Sequence, residues 1–222
     1  MDVKEKVISS LRKHDIGDEF SYLSGFPKAS VLIPLFLRKG RVHVVLTVRS
    51  TELKDNPGEV CFPGGKADPH DRDEIDTALR EALEEISLSP DGVEVVCRLC
   101  PLFNKRGLLV TPVVAFISDS FQASPNPDEV SDVFSVSVDF FLKETHHSAY
   151  LLPNTASYVH SFIYTDPITG KIHQIWGLTA SLLILLAVLT FEKKPEFELI
   201  GFDLENPVAN FRQNLQHRLS KL

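Results

Sequence analysis

The stretch from Phe62 to Leu88, FPGGKADPHDRDEIDTALREALEEISL, constrains the fold of this chain more than any other segment. It predicts a glycine turn followed by an acidic helix. Successive helical side chains turn by about 100°, so apolar residues fall on one arc and glutamates on another. The stripe predicted to be buried consists of Ile75, Leu79, Ala82, Leu83 and Ile86. The acidic arc consists of Glu81, Glu84 and Glu85.

The acidic arc needs a compensating partner, because like charges one turn apart destabilise an isolated helix by a few tenths of a kcal/mol per pair, roughly. A divalent cation such as Mg²⁺ would supply it, since hard cations prefer carboxylate oxygens and keep positions open for water and phosphate. The alternative is an ordinary solvated helix face on which Arg80 pairs with Glu84.

The residues before the helix predict a tight turn and a helix cap. At Pro63, Gly64 and Gly65 the backbone can approach a ligand without obstruction by a Cβ atom. Asp73 or Asp76 can accept hydrogen bonds from the first free amides of the helix. These neighbours favour the metal site over the solvated face.

This segment resembles the Nudix box, whose pattern is Gly, five residues, Glu, seven residues and then REUxEExGU, with U aliphatic. The matching residues are Arg80, Glu81, Glu84, Glu85 and Leu88. Counted from Gly65, Arg80 lies one residue later than the pattern expects. The upstream Glu of the family therefore has no clean equivalent among Asp71, Arg72, Asp73 and Glu74. Ser87 replaces the Gly of the pattern, and Ala82 is a small version of U.

A second pattern, VLTVRSTELKDNPGEVCFPGG, runs from Val45 to Gly65. It resembles the signature of coenzyme A diphosphatases within the Nudix family, LLTxRS, three residues, Arg, three residues, Gly, three residues and FPGG. The matching residues are Leu46, Thr47, Arg49, Ser50, Gly58, Phe62, Pro63, Gly64 and Gly65. Lys54 stands where the pattern has Arg, which keeps the charge but loses the planar fork that binds phosphate.

The resemblance implies a diphosphatase that cleaves coenzyme A (CoA) and acyl-CoA to 3′-phospho-ADP and (acyl-)4′-phosphopantetheine. Mg²⁺, or Mn²⁺ in its place, would activate the attacking water. The metal ligands expected are Glu81, Glu84 and Glu85. The catalytic residues expected are Glu84, Glu81 and Glu129, the last from the PNPDE loop. The substrate-binding residues expected are Arg49, Lys54, Gly64, Gly65 and Lys66.

Other interpretations stay open at this point. Another Nudix specificity, for NADH, ADP-ribose or capped RNA, is the nearest alternative enzyme. A domain that binds acyl-CoA without turnover is the alternative outside catalysis. The basic loop at Lys105 and Arg106 is either a phosphate contact or ordinary surface charge.

The length of 222 residues, of which 43% are hydrophobic, predicts one well-cored domain. We expect a helical extension at 1–25, a Nudix domain at 26–200 and a C-terminal tail at 201–222. The net charge of −7 lacks the basic excess of proteins that bind nucleic acids nonspecifically. Three cysteines do not make a disulfide framework, which favours a reducing compartment.

The predicted elements point to the α/β class. Two hairpins are expected, at 30–48 and 158–176, with further strands at 93–99 and 108–117 and a strand leading into a short helix at 129–142. The apolar run from Leu178 to Phe191 is shorter than the ~20 residues of a membrane span and predicts a buried helix. Together they predict a three-layer α/β/α sandwich with a mixed sheet, which is also the Nudix fold.

The last three residues, Ser220, Lys221 and Leu222, match a peroxisomal address that an import receptor reads at a free C-terminus. The N-terminal residues contain no apolar run typical of a signal peptide. We therefore expect a peroxisomal protein with the import receptor as a partner.

Overall fold

The computed structural model describes residues 2–104, 106–151, 158–199, 206 and 208–220. The helices in these residues are α1 (Val3–Arg12), α2 (Glu74–Ile86), α3 (Gly177–Phe191) and α4 (Ala209–Leu219). The strands are β1 (Lys28–Arg38), β2 (Arg41–Arg49), β3 (Val60–Cys61), β4 (Gly64–Lys66), β5 (Val93–Arg98), β6 (Leu102–Phe103), β7 (Leu109–Ile117), β8 (Val130–Ser137), β9 (His147–Leu151), β10 (Tyr158–Thr165) and β11 (Ile172–Trp176). Lys221 and Leu222 of the predicted peroxisomal address lie outside the described residues.

The larger sheet is mixed, as predicted. Its main path has the order β3-β2-β1-β7-β5. Strand β8 lies off this path and also pairs with β2. Strands β1 and β7 are parallel, with Lys28 opposite Leu109 and Leu35 opposite Phe116. The strand pairs β1–β2 and β2–β8 are antiparallel. The predicted hairpin at 30–48 is therefore confirmed as β1 and β2.

Helices cover both faces of this sheet, because β1 alternates its apolar side chains between two cores. Leu32 and Phe36 pack in the core that includes α2. Ile33 and Leu35 pack in the core that includes α1 and α3. This arrangement confirms the three-layer α/β/α sandwich.

Helix α3 is the apolar helix expected from the run at 178–191. Ten of its residues are buried, namely Ala180 and all nine residues from Leu182 to Thr190. Among the described residues, no helix combines the length and apolar character needed to cross a bilayer. The second predicted hairpin is also present, as β10 and β11, and joins β9 in a three-stranded antiparallel sheet.

The buried face of α2 differs from the predicted stripe. Ala78, Ala82 and Ile86 are fully buried, whereas Leu83 is 45% exposed and Glu85 is only 4% exposed. Ala82 was predicted to face the core, and Ala78 faces it in place of Leu83, because small side chains let the helix approach the sheet closely. The glycine turn and β4 lie beside the helix and enclose Glu85, whose carboxylate accepts a hydrogen bond from the Gly64 amide.

Candidate active site

Helix α2 begins and ends at well-defined caps. Asp73 Oδ1 accepts hydrogen bonds from the amides of Ile75 and Asp76, both at 2.9 Å, so Asp73 is the N-cap of the two candidates. Ser87 ends the helix with a φ of 59°, a left-handed conformation that favours glycine. Its hydroxyl donates to the Ser124 carbonyl at 3.0 Å, which ties the helix end to the loop before β8.

Glu81, Glu85 and Glu129 form a cluster of carboxylates, here called the glutamate cluster. Each offers an oxygen that lies within 4.8 Å of the others. Glu81 and Glu85 come from successive turns of α2, and Glu129 comes from the loop that precedes β8. The structure thus brings together two of the three predicted metal ligands with a residue predicted only as a base.

Hydrogen bonds from Ser50 and Asn126 position Glu129, and a further one holds Asn126 against α2. The Ser50 amide donates to the Glu129 carbonyl at 2.8 Å, which links the end of β2 to the start of β8. Asn126 Nδ2 donates to Glu129 Oε1 at 3.1 Å and orients the carboxylate. The Asn126 amide donates to the Glu85 carbonyl at 2.8 Å. Asn126 was not predicted as a site residue, and its position beside Glu129 in the PNPDE loop was the available signal.

Glu84 lies outside the glutamate cluster. Its side chain is 50% exposed and accepts a hydrogen bond from Arg80 Nη1 at 3.2 Å. The same Nη1 atom donates to Glu81 Oε1 at 3.0 Å, so Glu84 is a neighbour of the cluster. The alternative of a solvated face with an Arg80–Glu84 pair therefore describes Glu84 but not Glu81 or Glu85.

Both glycines of the turn lie in close contact with other parts of the protein. The Gly64 amide donates to Glu85 Oε2 at 3.2 Å. A Cβ on Gly64 would lie 2.3 Å from the Ser30 carbonyl oxygen, and one on Gly65 would lie 2.4 Å from the Glu81 carboxyl carbon. A Cβ on Gly64 would meet backbone atoms, so this position accommodates no side chain. A side chain at position 65 would instead force the carboxylate of Glu81 to move.

Arg80 connects the glycine turn to α2. Its Nε and Nη2 atoms donate to the two oxygens of Asp71 at 2.9 and 3.0 Å. Its Nη2 atom also donates to the Lys66 carbonyl at 2.9 Å. The hydrogen bonds from Arg80 hold the pKa of Asp71 well below its ordinary value. Sequence reasoning identified Arg80 as a motif residue and as a partner of Glu84, and missed its contact with Asp71.

The residues at the front of the box have partners outside the glutamate cluster. Asp71 binds Arg80, Asp73 caps the helix, Arg72 pairs with Asp76, and Glu74 pairs with Lys28 at 2.7 Å. Among the described residues, the glutamate cluster therefore has no acidic member from positions 71–74.

Burial and mutual repulsion shape the charge of the glutamate cluster. Burial, and after it the negative charges of Glu81 and Glu129, raise the pKa of Glu85 to about 8. The Gly64 amide and the charge of Arg49 act in the opposite direction. Burial also raises the pKa of Glu81. Three crowded carboxylates with only oxygen donors suit a hard divalent cation, which would favour their charged forms.

The predicted basic residues differ in their exposure to solvent. Arg49 is half-buried at the end of β2, and its Nε atom donates to the Asp55 carbonyl at 3.0 Å. Lys54 and Lys66 are exposed. Lys105 falls outside the described residues, and Arg106 forms an ion pair with Asp55.

Residues 26–155 match the family of NUDIX domains. The chain belongs to the Nudix family. The family predicted from the two motifs is therefore confirmed, and so is its fold.

Named relatives extend the Nudix match over most of the chain. The mouse protein named peroxisomal coenzyme A diphosphatase NUDT7 is 45% identical over 96% of this chain and 91% of its own length. The Caenorhabditis elegans protein named peroxisomal coenzyme A diphosphatase ndx-8 is 34% identical over 86% of this chain and 80% of its own. The Arabidopsis thaliana protein named Nudix hydrolase 15, mitochondrial, is 42% identical over 77% of this chain and 61% of its own.

Proposed function

We propose that this Nudix protein hydrolyses the diphosphate bond of coenzyme A and acyl-CoA. The observation that carries the proposal is the hydrogen bond from Ser50 to Glu129 at 2.8 Å. It joins the segment that resembles the coenzyme A signature to the glutamate cluster. The mouse and worm relatives named as coenzyme A diphosphatases support the same substrate.

We assign a divalent cation, Mg²⁺ or alternatively Mn²⁺, to Glu81, Glu85 and Glu129. Glu84 is the candidate ligand of a further ion, because it shares Arg80 Nη1 with Glu81. Such ions, when bound, polarise diphosphate oxygens and lower the pKa of a water molecule. The donor set fits this assignment because it consists of carboxylates alone.

The residues of the chain have three further roles in this mechanism. Glu81, Glu84 or Glu129 accepts the proton of the attacking water. Arg49, Lys54 and Lys66 offset the negative charge of the substrate. Gly64 and Gly65 place the backbone of the turn beside the diphosphate, while Ser30 and Glu81 occupy the space that their side chains would fill.

A count of the phosphate groups corrects the nucleotide product that we expected above. Coenzyme A contains a diphosphate and a 3′-phosphate, and 4′-phosphopantetheine retains one phosphate of the diphosphate. The nucleotide product therefore retains the other together with the 3′-phosphate. It is adenosine 3′,5′-bisphosphate, and not 3′-phospho-ADP.

The test is a substrate panel of CoA, acyl-CoA, NADH and ADP-ribose with Mg²⁺, with products identified by mass spectrometry. We expect CoA or acyl-CoA to have the highest kcat/KM and to give phosphopantetheine products. Removal of divalent ions should abolish turnover. A higher kcat/KM for NADH or ADP-ribose would contradict the proposal, as would Mg²⁺-independent binding of acyl-CoA without hydrolysis.

We also propose a peroxisomal location. The mouse and worm relatives carry that compartment in their names, whereas the plant relative is named mitochondrial. The test is a fluorescent protein that carries the last twenty or so residues of this chain at its C-terminus. Its location in the cell is compared with that of the same fusion without Ser220–Leu222. Peroxisomal import that depends on these three residues is expected, and import into mitochondria would contradict it.

A further inference from the structure

Arg106, which belongs to neither motif, lies across from the loop that follows β2. Its Nη1 atom forms an ion pair with Asp55 Oδ2. Arg49 Nε donates to the backbone carbonyl of the same Asp55 at 3.0 Å. Asp55 therefore joins Arg106 to Arg49, whose charge acts on Glu85 of the glutamate cluster.

Asn104 positions the backbone of Arg106 without help from Asp55. Asn104 Oδ1 accepts hydrogen bonds from the Arg106 amide at 2.8 Å and the Leu108 amide at 3.0 Å. The Asn104 carbonyl in turn accepts from Arg218 Nη1 of α4 at 3.1 Å. The backbone of Arg106 is thus held by Asn104, so its side chain can exchange one anionic partner for another.

Three positive charges act on Asp55, and the negative charge of Glu59 acts on Arg106. The hydrogen bond from Arg106, and then the charges of Arg106, Lys66 and Arg49, hold the pKa of Asp55 below its ordinary value. Three cations thus act on one carboxylate in a chain with a net charge of −7. About half of each side chain in the Arg106–Asp55 pair is exposed to solvent. An exposed pair of this kind is weak, so a doubly charged phosphate can displace the carboxylate.

We propose that Arg106, together with Lys66, binds the 3′-phosphate of coenzyme A, and that Asp55 pairs with Arg106 when no substrate is bound. The inference rests on the proposed function. A phosphate monoester matches this surface because a guanidinium binds two phosphate oxygens at once and Lys66 adds a second charge. The subsite would distinguish coenzyme A from diphosphates that lack the 3′-phosphate.

The first test compares CoA with dephospho-CoA, which lacks the 3′-phosphate. Arg106→Gln should lower kcat/KM for CoA about tenfold, mainly through KM, because it removes one charge-assisted contact. The kcat/KM for dephospho-CoA should stay unchanged. Lys143→Gln is the matched control, since Lys143 forms a similarly exposed ion pair with Glu196 on another part of the molecule. Equal losses for both substrates, or no loss for CoA, would overturn the proposal.

The second test uses Asp55→Asn, which releases Arg106 while keeping the size of the side chain. The CoA to dephospho-CoA ratio of kcat/KM should rise, in the opposite direction to Arg106→Gln. If the ion pair only stabilised the loop, both variants would lower turnover of both substrates together. Melting temperatures of both variants should remain near that of the unmodified protein.

A binding experiment separates this inference from the proposed function, because it does not depend on turnover. Calorimetry should show tighter binding of adenosine 3′,5′-bisphosphate than of AMP, and Arg106→Gln should remove the difference. Inorganic phosphate serves as the competitor. If it displaces the bisphosphate at equal concentration, the surface is a general anion site and the assignment is wrong. Failure of CoA hydrolysis with this preference intact would contradict only the proposed function.

Discussion

The carboxylate of Glu81 packs directly against Gly65, so a side chain at position 65 would have to displace it. A Cβ on Gly65 would lie 2.4 Å from the carboxyl carbon and 2.4 and 2.5 Å from the two carboxylate oxygens of Glu81. The glycine of the turn thus sets the position of a glutamate that lies sixteen residues further along the chain. This contact gives the glycine turn a role in placing the glutamate cluster.

Gly65→Ala should therefore reduce activity by displacing Glu81. We expect kcat to fall about 100-fold, since a displacement of about 1 Å can have such an effect. Gly92→Ala is the matched control, because a Cβ on Gly92 would meet no atom within 4 Å. Steady-state CoA hydrolysis by the two variants is the measurement. Unchanged turnover of Gly65→Ala would show that Glu81 does not need this position.

The layers of the fold and the presence of an acidic site could be predicted from the sequence. The side chains that α2 turns toward the core could be predicted only in part. Helical periodicity correctly grouped Ile75, Leu79 and Ile86. It could not show that Ala78, the smaller side chain, would face the core where Leu83 was expected. That choice depends on how closely the helix approaches the sheet, which is a property of the packed structure.

The composition of the glutamate cluster was also only partly predictable. Glu81 and Glu85 share a helix and follow from the motif. Glu129 reaches them through the pairing of β2 with β8, a contact between distant parts of the chain. The Asp71–Arg80 contact likewise depends on the path of the loop before α2. Short-range patterns contain no information on either contact.

The stability of the metal-free protein should fall as pH rises. The pKa of Glu85 is about 8 in the folded protein and near 4.5 ordinarily, so the folded state retains a proton that the unfolded state releases. This contribution is complete below about pH 4.5 and is lost as pH rises through about 8. Denaturant unfolding in EDTA should show a loss of a few kcal/mol, at about 1.4 kcal/mol per pKa unit.

Glu85→Gln is the control for this pH dependence, because glutamine has the same shape and does not titrate. The difference in unfolding free energy between the two proteins should change over this pH range. Parallel pH profiles would contradict the burial of a titrating Glu85.

Arg80→Lys should destabilise the glycine turn. Lysine cannot reproduce the two hydrogen bonds to Asp71, whose side chain is only 7% exposed. We expect a loss of about 1–3 kcal/mol in unfolding free energy, as for other hydrogen bonds to charged groups. Arg72→Lys, at a solvent-exposed pair with Asp76, should leave the melting temperature unchanged. Equal melting temperatures for the two variants would contradict the structural role of Arg80.

The central claim is that the glutamate cluster binds the divalent cation used for CoA hydrolysis. The most direct measurement is Mn²⁺ binding, by titration, together with CoA turnover for Glu85→Gln, Glu84→Gln and Asp76→Asn. Asp76 is the control because it lies on the same helix but pairs with Arg72 outside the cluster. We predict that Glu85→Gln loses both binding and turnover, that Glu84→Gln has a smaller effect, and that Asp76→Asn has none. Unaltered Mn²⁺ binding and turnover in Glu85→Gln would contradict the claim.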